Sequence, residues 1–300
     1  MNFLGGRTLQ AVSAQVGSFD AAIGFRKVGT PTAPQAWSRP LAAAGRVEIW
    51  FVSAGAHGRL SQDARILDRD DWAAIARLRD ENARNYLRAT RITLRRALSH
   101  AVGNAVHPQA WRFQATVFGR PQVAPGLPQV HFCVSHIDTM AVIAVSRDAP
   151  VGVDIETVRR DCAAGVIEAF CSARERRALT QLNEPARARA FARLWTLKEA
   201  YAKLTGTGLA ADFRFLEFEA GPELSAPSYQ TQQANRGTGF QSWLTEAPGR
   251  LCQVAVAVGG SKAVADEGEL VCFAIEDRDD LTRTRVLNPG RGMQAGLSIC

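Results

Sequence analysis

The segment Val151-Gly-Val-Asp154-Ile-Glu156 constrains this chain more than any other. It reads as a β-strand in which apolar residues alternate with small or acidic ones. Successive side chains on a strand point to opposite faces, so Asp154 and Glu156 share one face while Ile155 turns the other way, toward a core. Two carboxylates held side by side repel, and the usual remedies are a cation or protonation of one of them. All-oxygen ligation suits Mg2+, which takes one or two carboxylates together with phosphates and water. Two solvated acids at an exposed strand end would look the same from spacing alone.

A second segment, Leu194-Trp195-Thr-Leu-Lys198-Glu199-Ala-Tyr-Ala-Lys203, is a good helix former. Trp195, Glu199 and Lys203 follow i, i+4, i+8 and make one stripe, with Lys198 turned about 100° from Glu199. A Glu–Lys pair at i, i+4 is also an ordinary surface salt bridge, but Trp195 on the stripe points to a partly covered face. Gly206-Thr-Gly208 stops the helix through a left-handed cap.

Ser135-His136 ends another strand, and His136 there could donate to a phosphate or be a lone surface histidine. No G-x-S-x-G elbow surrounds Ser135, and His131 and His136 lack a zinc-site pattern. Arg84, Arg88, Arg91 and Arg95 share one face of a helical stretch, with Arg96 beside them, as a phosphate-binding stripe or a solvated face. No Walker A or G-x-G-x-x-G loop is present. Helix-turn-helix, RRM and zinc-finger patterns are also missing.

The order of elements gives the architecture. Arg46–Val52 is the first firm strand, and residues 70–99 are helical, as one helix or two. Gly119-Arg-Pro121 marks a loop. Strands follow at 131–135, 141–146 and 151–155, helices at 171–182 and 187–204, and strands at 213–218 and 252–258. The class is therefore α+β. The repeated order hints at two similar lobes, residues 45–150 and 151–258, between a poorly ordered extension at 1–44 and a loosely attached tail at 259–300.

Composition narrows the setting. The chain has 300 residues, and its six cysteines form no CxxC pair, so reduced thiols in the cytoplasm are expected. The N-terminus carries no signal-peptide pattern, and no apolar run approaches the ~20 residues of a membrane helix. A net charge of +7 favours an acidic partner without choosing one.

Taken together, the motifs are more specific than any one of them. Gly119-Arg-Pro121, Phe132-Cys-Val-Ser135-His136, Gly152-Val-Asp154-Ile-Glu156, Phe170-Cys-Ser172 with Glu175, and Trp195-Thr-Leu-Lys198-Glu199-Ala200 with Lys203 and Gly206-Thr-Gly208-Leu209 follow in series. This series resembles the 4'-phosphopantetheinyl transferases, in the long two-lobed form that serves carrier proteins of secondary metabolism. The resemblance covers about residues 46–220.

It implies two similar α+β lobes in pseudo-two-fold arrangement with the active site in the cleft between them. It implies transfer of phosphopantetheine from coenzyme A to a serine of an apo acyl- or peptidyl-carrier protein, with Mg2+, releasing 3',5'-ADP. Carried over by residue, Asp154, Glu156 and Glu199 match the metal-binding acids. Glu199 also matches the general base, and Lys203 the lysine on the transferred phosphate. His136, with Ser135 beside it, matches the histidine on a coenzyme A phosphate. Arg120, in place of the usual lysine, is expected to hold the 3'-phosphate side of the nucleotide. Arg84, Arg88, Arg91 and Arg95 fall in the helix that supplies further coenzyme A contacts. Cys133 stands where the family usually has Asn, so a hydrogen-bonding side chain is lost.

The carrier is expected to be acidic and to dock on 157–193, through Arg159, Arg160, Arg174, Arg176 and Arg177. A monomer is expected, because one chain supplies both sides of the cleft. Nucleic acid and membrane are not expected partners. A non-catalytic protein of the same fold that holds coenzyme A or a carrier is the alternative, and loss of a metal acid, which is not seen, would mark it.

Overall fold

Two aspartates decide how the helical stretch divides. Asp68 accepts from the amides of Asp70 and Asp71 and opens α1 (Arg69–Ala76) with a capping box. Asp80 accepts from the Ala83 amide at 2.6 Å and opens α2 (Glu81–Ala101). The stretch is therefore two helices, because each cap satisfies amides that a continuous helix would have bonded internally.

The computed structural model describes residues 26–27, 46–55, 63–116, 119–159, 164–208, 213–218, 229–230, 238–260, 269–275 and 286–287. After the short strand Arg26–Lys27, the described residues run through a first series of strands. They are β1 (Arg46–Ser53), β2 (Phe113–Ala115), β3 (Pro121–Val123), β4 (His131–His136), β5 (Met140–Ser146) and β6 (Val151–Thr157). Then come α3 (Ala164–Phe170), α4 (Ala173–Thr180) and α5 (Glu184–Thr205), followed by β7 (Gly239–Ala247), β8 (Arg250–Val258) and β9 (Glu269–Ile275).

Of the two larger sheets, one runs Arg26–Lys27, β9, β1, β5, β4 and the other Val286–Leu287, β7, β8, β6. Strand alternation builds three cores. Val47, Ile49 and Phe51 of β1 and Val142 and Ala144 of β5 face Val153, Ile155, Val254 and Val256 of the second sheet. Trp50 and Val52 turn to the other side, against Ile92, Leu94 and Leu98 of α2. Ala255 and Ala257 of β8 face Leu197, Ala200 and Ala202 of α5. The layers are thus helix, sheet, sheet, helix, each buried aliphatic side chain contributing about 1.5–3 kcal/mol. Among the described residues no helix is long and apolar enough to cross a membrane.

The sheets meet along β4 and β6. Cys133 lies 3.8 Å from the Val153 carbonyl, and the Ser135 hydroxyl accepts from the Ile155 amide at 3.4 Å. This seam carries the site described below.

The structure departs from the sequence reading in several places, among them the paired strands β2 and β3, the second of which begins in the expected loop at Pro121. Residues 269–275, expected in a loose tail, pair in parallel with β1 from Glu269↔Arg46 to Ile275↔Val52. Their apolar run gives the inner edge of β1 a partner that its amides and carbonyls need. Strand β7 was not anticipated; it pairs with β8 over its whole length. Helix α3 was likewise missed. Residues 213–218 are strand only at Glu217–Phe218, after a 3-10 turn at Phe213–Phe215. The helix at 187–204 does end as expected, with Gly206 at φ 73°. Apart from residues 26–27, the extension at 1–44 lies outside the described residues, as do Arg160 and Leu209.

Candidate active site

On β6 the alternation works as the sequence implies. Val151, Val153 and Ile155 enter the core between the sheets, so Gly152, Asp154 and Glu156 face α5. Their cross-strand partners on β8 are Ala257, Ala255 and Gln253. Small residues let the helix come close, and Gly152 makes the tightest contact. A Cβ there would collide with the Ala200 carbonyl and the Leu204 amide of α5.

That closeness brings the two motifs together. The Lys203 ammonium donates to Asp154 Oδ1 at 2.5 Å and to Ser135 Oγ at 2.8 Å. The Ser135 hydroxyl donates to the same Asp154 oxygen at 2.8 Å. Asp154 is buried, and its other oxygen, Oδ2, has no hydrogen-bond partner. Burial and the Asp154 charge push Glu156 up to about 7 and Glu199 up to about 7, against the pull of Lys203. Burial alone would lower the Lys203 pKa, but Asp154 beside it raises it above the usual lysine range.

A cavity of about 760 Å³ opens beside Lys203. Its walls include Arg77 and Arg91 from the α1–α2 side, Cys133 and His136 from β4, and Arg120. The volume lies in the range of small-molecule sites, and the polar lining is basic, which suits an anionic ligand.

The arginine stripe is not one surface. Arg95 is fully buried and bonds Asp71 at 2.7 Å, Asp68 at 2.5 Å and the Trp111 carbonyl at 2.8 Å. It is therefore a structural tie between α1 and α2, because a buried charge must be paired. Arg84 donates to the Leu78 carbonyl at 3.4 Å, and Arg88 lies over the Trp72 ring at 5.7 Å. Of the four, Arg91 alone lines the cavity, with Asp71 3.6 Å from its Nε.

Arg120 also differs from expectation. Its two terminal nitrogens are spent on four main-chain carbonyls, those of Lys203, Leu204, Phe132 and Val151. A fork so occupied is not presented to a phosphate. His136 is half-buried at the cavity wall.

Trp195 is buried against Phe170, ring centroids 4.4 Å apart, which covers the helix stripe as its sequence position suggests. Lys198, one turn after Trp195 and about 100° round the helix from Glu199, reaches the same segment. It is buried, and donates to Glu175 at 2.6 Å and to the Phe170 and Phe213 carbonyls at 2.9 Å each. Glu175 in turn accepts from the amides of Ser172 and Phe218. Sequence reasoning did not foresee this tie; the Ser172–Glu175 capping-box spacing was its legible half. Arg77, just past α1, was missed because nothing in its neighbourhood marks it as facing the cavity.

Among the described residues, no three acidic, histidine or cysteine side chains are gathered as an ion site. The donor chemistry nevertheless suits a hard divalent cation. Asp154 Oδ2 is a buried oxygen without a partner, and burial and the Asp154 charge raise the pKa of two neighbouring carboxylates.

With this geometry in view, residues 150–252 match the family model described as the 4'-phosphopantetheinyl transferase superfamily. Over that segment the chain is similar to the 4'-phosphopantetheinyl transferases. It is 32% identical over 181 residues to the L-aminoadipate-semialdehyde dehydrogenase-phosphopantetheinyl transferase of Eremothecium gossypii, covering 55% of this chain and 62% of that one. It is 35% identical over 99 residues to the 4'-phosphopantetheinyl transferase ffp of Bacillus subtilis, covering 33% of this chain and 43% of that one. It is 29% identical over 219 residues to the 4'-phosphopantetheinyl transferase HetI of Nostoc, covering 71% of this chain and 88% of that one. The chain thus spans less than two thirds of the length of the first two of these transferases. The matched segment holds Asp154, Glu156, Glu199 and Lys203, the residues that meet at the β6–α5 contact.

Proposed function

We propose that this protein transfers the 4'-phosphopantetheine group of coenzyme A to a serine hydroxyl of an apo acyl- or peptidyl-carrier protein, releasing 3',5'-ADP. The observation that carries the proposal is the junction of β6 and α5. It sets an ammonium, a buried carboxylate and two further carboxylates of raised pKa beside a basic cavity. Phosphoryl transfer needs positioning and charge stabilisation more than covalent chemistry, and this junction supplies both.

In the proposed reaction the carrier serine oxygen attacks the β-phosphorus of coenzyme A in line. A new O–P bond forms as the bond to the oxygen that leaves with 3',5'-ADP breaks. Glu199 takes the serine proton, directly or through water. Its raised pKa of about 7 places it near the value a base needs at neutral pH. Lys203 stabilises the negative charge that gathers on the transferred phosphate. His136 and Arg91 at the cavity wall, with Arg84 and Arg88 farther along α2, bind the remaining phosphates of coenzyme A. Ser135 holds Lys203 and Asp154 in place.

Asp154, Glu156 and Glu199 are the residues that would hold Mg2+, which when bound neutralises pyrophosphate charge. The two sheets, each with a long helix on its outer side, are read as two similar lobes, with the reaction in the cleft between them. The carrier is taken to be acidic, drawn to the exposed Arg159, Arg174 and Arg177 near α3 and α4, with Arg176 alongside. A cytoplasmic monomer serving secondary metabolism completes the reading.

The test is direct. The protein is incubated with coenzyme A, Mg2+ and several apo carrier proteins, and each carrier is weighed by mass spectrometry. A phosphopantetheine mass increase on at least one carrier is expected. No increase on any acyl or peptidyl carrier would overturn the proposal.

A further inference from the structure

We infer that Arg120 is a positioning residue that clamps the end of α5 to the seam between the sheets, and is not a ligand of the nucleotide. This rests on the transferase reading for its kinetic consequences, but not for its geometry.

The turn before β3 is built to present this side chain. Gly119 adopts φ 81°, and its amide donates to the Thr116 carbonyl at 2.9 Å. The Thr116 amide donates to the Arg120 carbonyl at 2.7 Å, and the Arg120 amide donates to Thr116 Oγ1 at 3.1 Å. The guanidinium then reaches three elements at once. Nη1 donates to the carbonyls of Lys203 at 2.6 Å and Leu204 at 3.0 Å. Nη2 donates to the carbonyls of Phe132 at 3.0 Å and Val151 at 2.9 Å.

Each acceptor has a reason to need it. The last carbonyls of a helix have no amide four residues on. Ala202 is served by the amides of Gly206 and Thr207, while Lys203 and Leu204 are served by Arg120. A cation at a helix C-terminus is also favoured by the helix dipole. Phe132 and Val151 lie on β4 and β6, which are the facing edge strands of the two sheets. An edge carbonyl lacks a ladder partner.

Guanidinium has five N–H groups, and the four on its terminal nitrogens are used here, leaving Nε. Lysine, with three donors on one atom, cannot replace that fork. Lys203 is consequently held at both ends, its carbonyl by Arg120 and its ammonium by Asp154 and Ser135.

The first experiment uses the wild-type protein without a variant. Nitrogen-15 NMR of the arginine guanidinium groups should show Arg120 Nη–H slow to exchange without ligand, and little changed on adding coenzyme A. A freely exchanging Arg120 that becomes ordered only with coenzyme A would overturn the clamp.

The second compares Arg120→Lys with wild type on coenzyme A and 3'-dephospho-coenzyme A. The clamp predicts a kcat loss of about 10²-fold on both substrates, the scale of a 1 Å misplacement. It predicts that the preference for the 3'-phosphate, read from KM, is kept. Retained kcat with loss of that preference would show a phosphate ligand instead. If the wild type transfers nothing to any carrier, the transferase reading fails, and the NMR result still decides the clamp.

Discussion

Asp154 is held from two sides on one oxygen and left bare on the other. Lys203 and Ser135 converge on Oδ1, while Oδ2 is buried without a partner. Such an atom is costly unless something supplies it with charge or a proton. Glu199 shares the same environment, and its proton is retained up to about pH 7. If it serves as the base, Glu199→Gln should lower turnover by about 10²- to 10⁴-fold, the usual contribution of a positioned acid or base. Coenzyme A binding by calorimetry should persist. Normal transfer by that variant would remove Glu199 from the chemistry. Lys198, its neighbour in sequence, tests packing instead. Lys198→Met leaves Glu175 buried without its cation and should cost about 3–5 kcal/mol in urea unfolding.

At the scale of elements, the site depends on how closely α5 lies on β6. Gly152→Ala puts a methyl group into the helix backbone at Ala200 and Leu204. Overpacking of this kind costs about 1–3 kcal/mol, and the helix must move off the strand to relieve it. Activity should fall further than stability does, because Glu199 and Lys203 move with the helix. Equal losses in a thermal melt and in a transfer assay would argue against this. The sequence made this contact legible where periodicity governs it. The alternation of β6 put Asp154 and Glu156 on one face, and helical spacing put Glu199 and Lys203 on one stripe. Tertiary partners were not legible. Arg95 shares a helix face with Arg91, but only the fold shows Asp68 and Asp71 waiting for it. Arg120 carries the charge a phosphate would want, and only the fold shows four carbonyls in the way. Strand β9 was missed because its partner lies more than two hundred residues earlier, and no local pattern announces that pairing.

Across the whole molecule, the crowded acids make stability depend on pH in an unusual direction. Glu156 and Glu199 have an ordinary value of 4.5 and are raised to about 7 in the fold. Between those values the folded state binds more protons than the unfolded chain, so stability falls as pH rises through that window. In chelator, the melting temperature should be higher near pH 5 than near pH 8. The comparison is made against a Glu156→Gln, Glu199→Gln double variant, so that other groups cancel. Mg2+ should raise the wild-type melting temperature at pH 8 and scarcely at pH 5. An equal rise at both would mean the ion acts elsewhere.

The place of β9 has a consequence for synthesis. It lies beside β1, inside a sheet whose other members are made early. While the ribosome is still adding the second half, β1 presents the unpaired edge of a strand that is apolar on both faces. The first sheet closes only when residue 275 has left the exit tunnel, so folding of the early half waits on the late one. A chain ended at residue 260 should therefore collect in the insoluble fraction, although every residue of the proposed site is present in it.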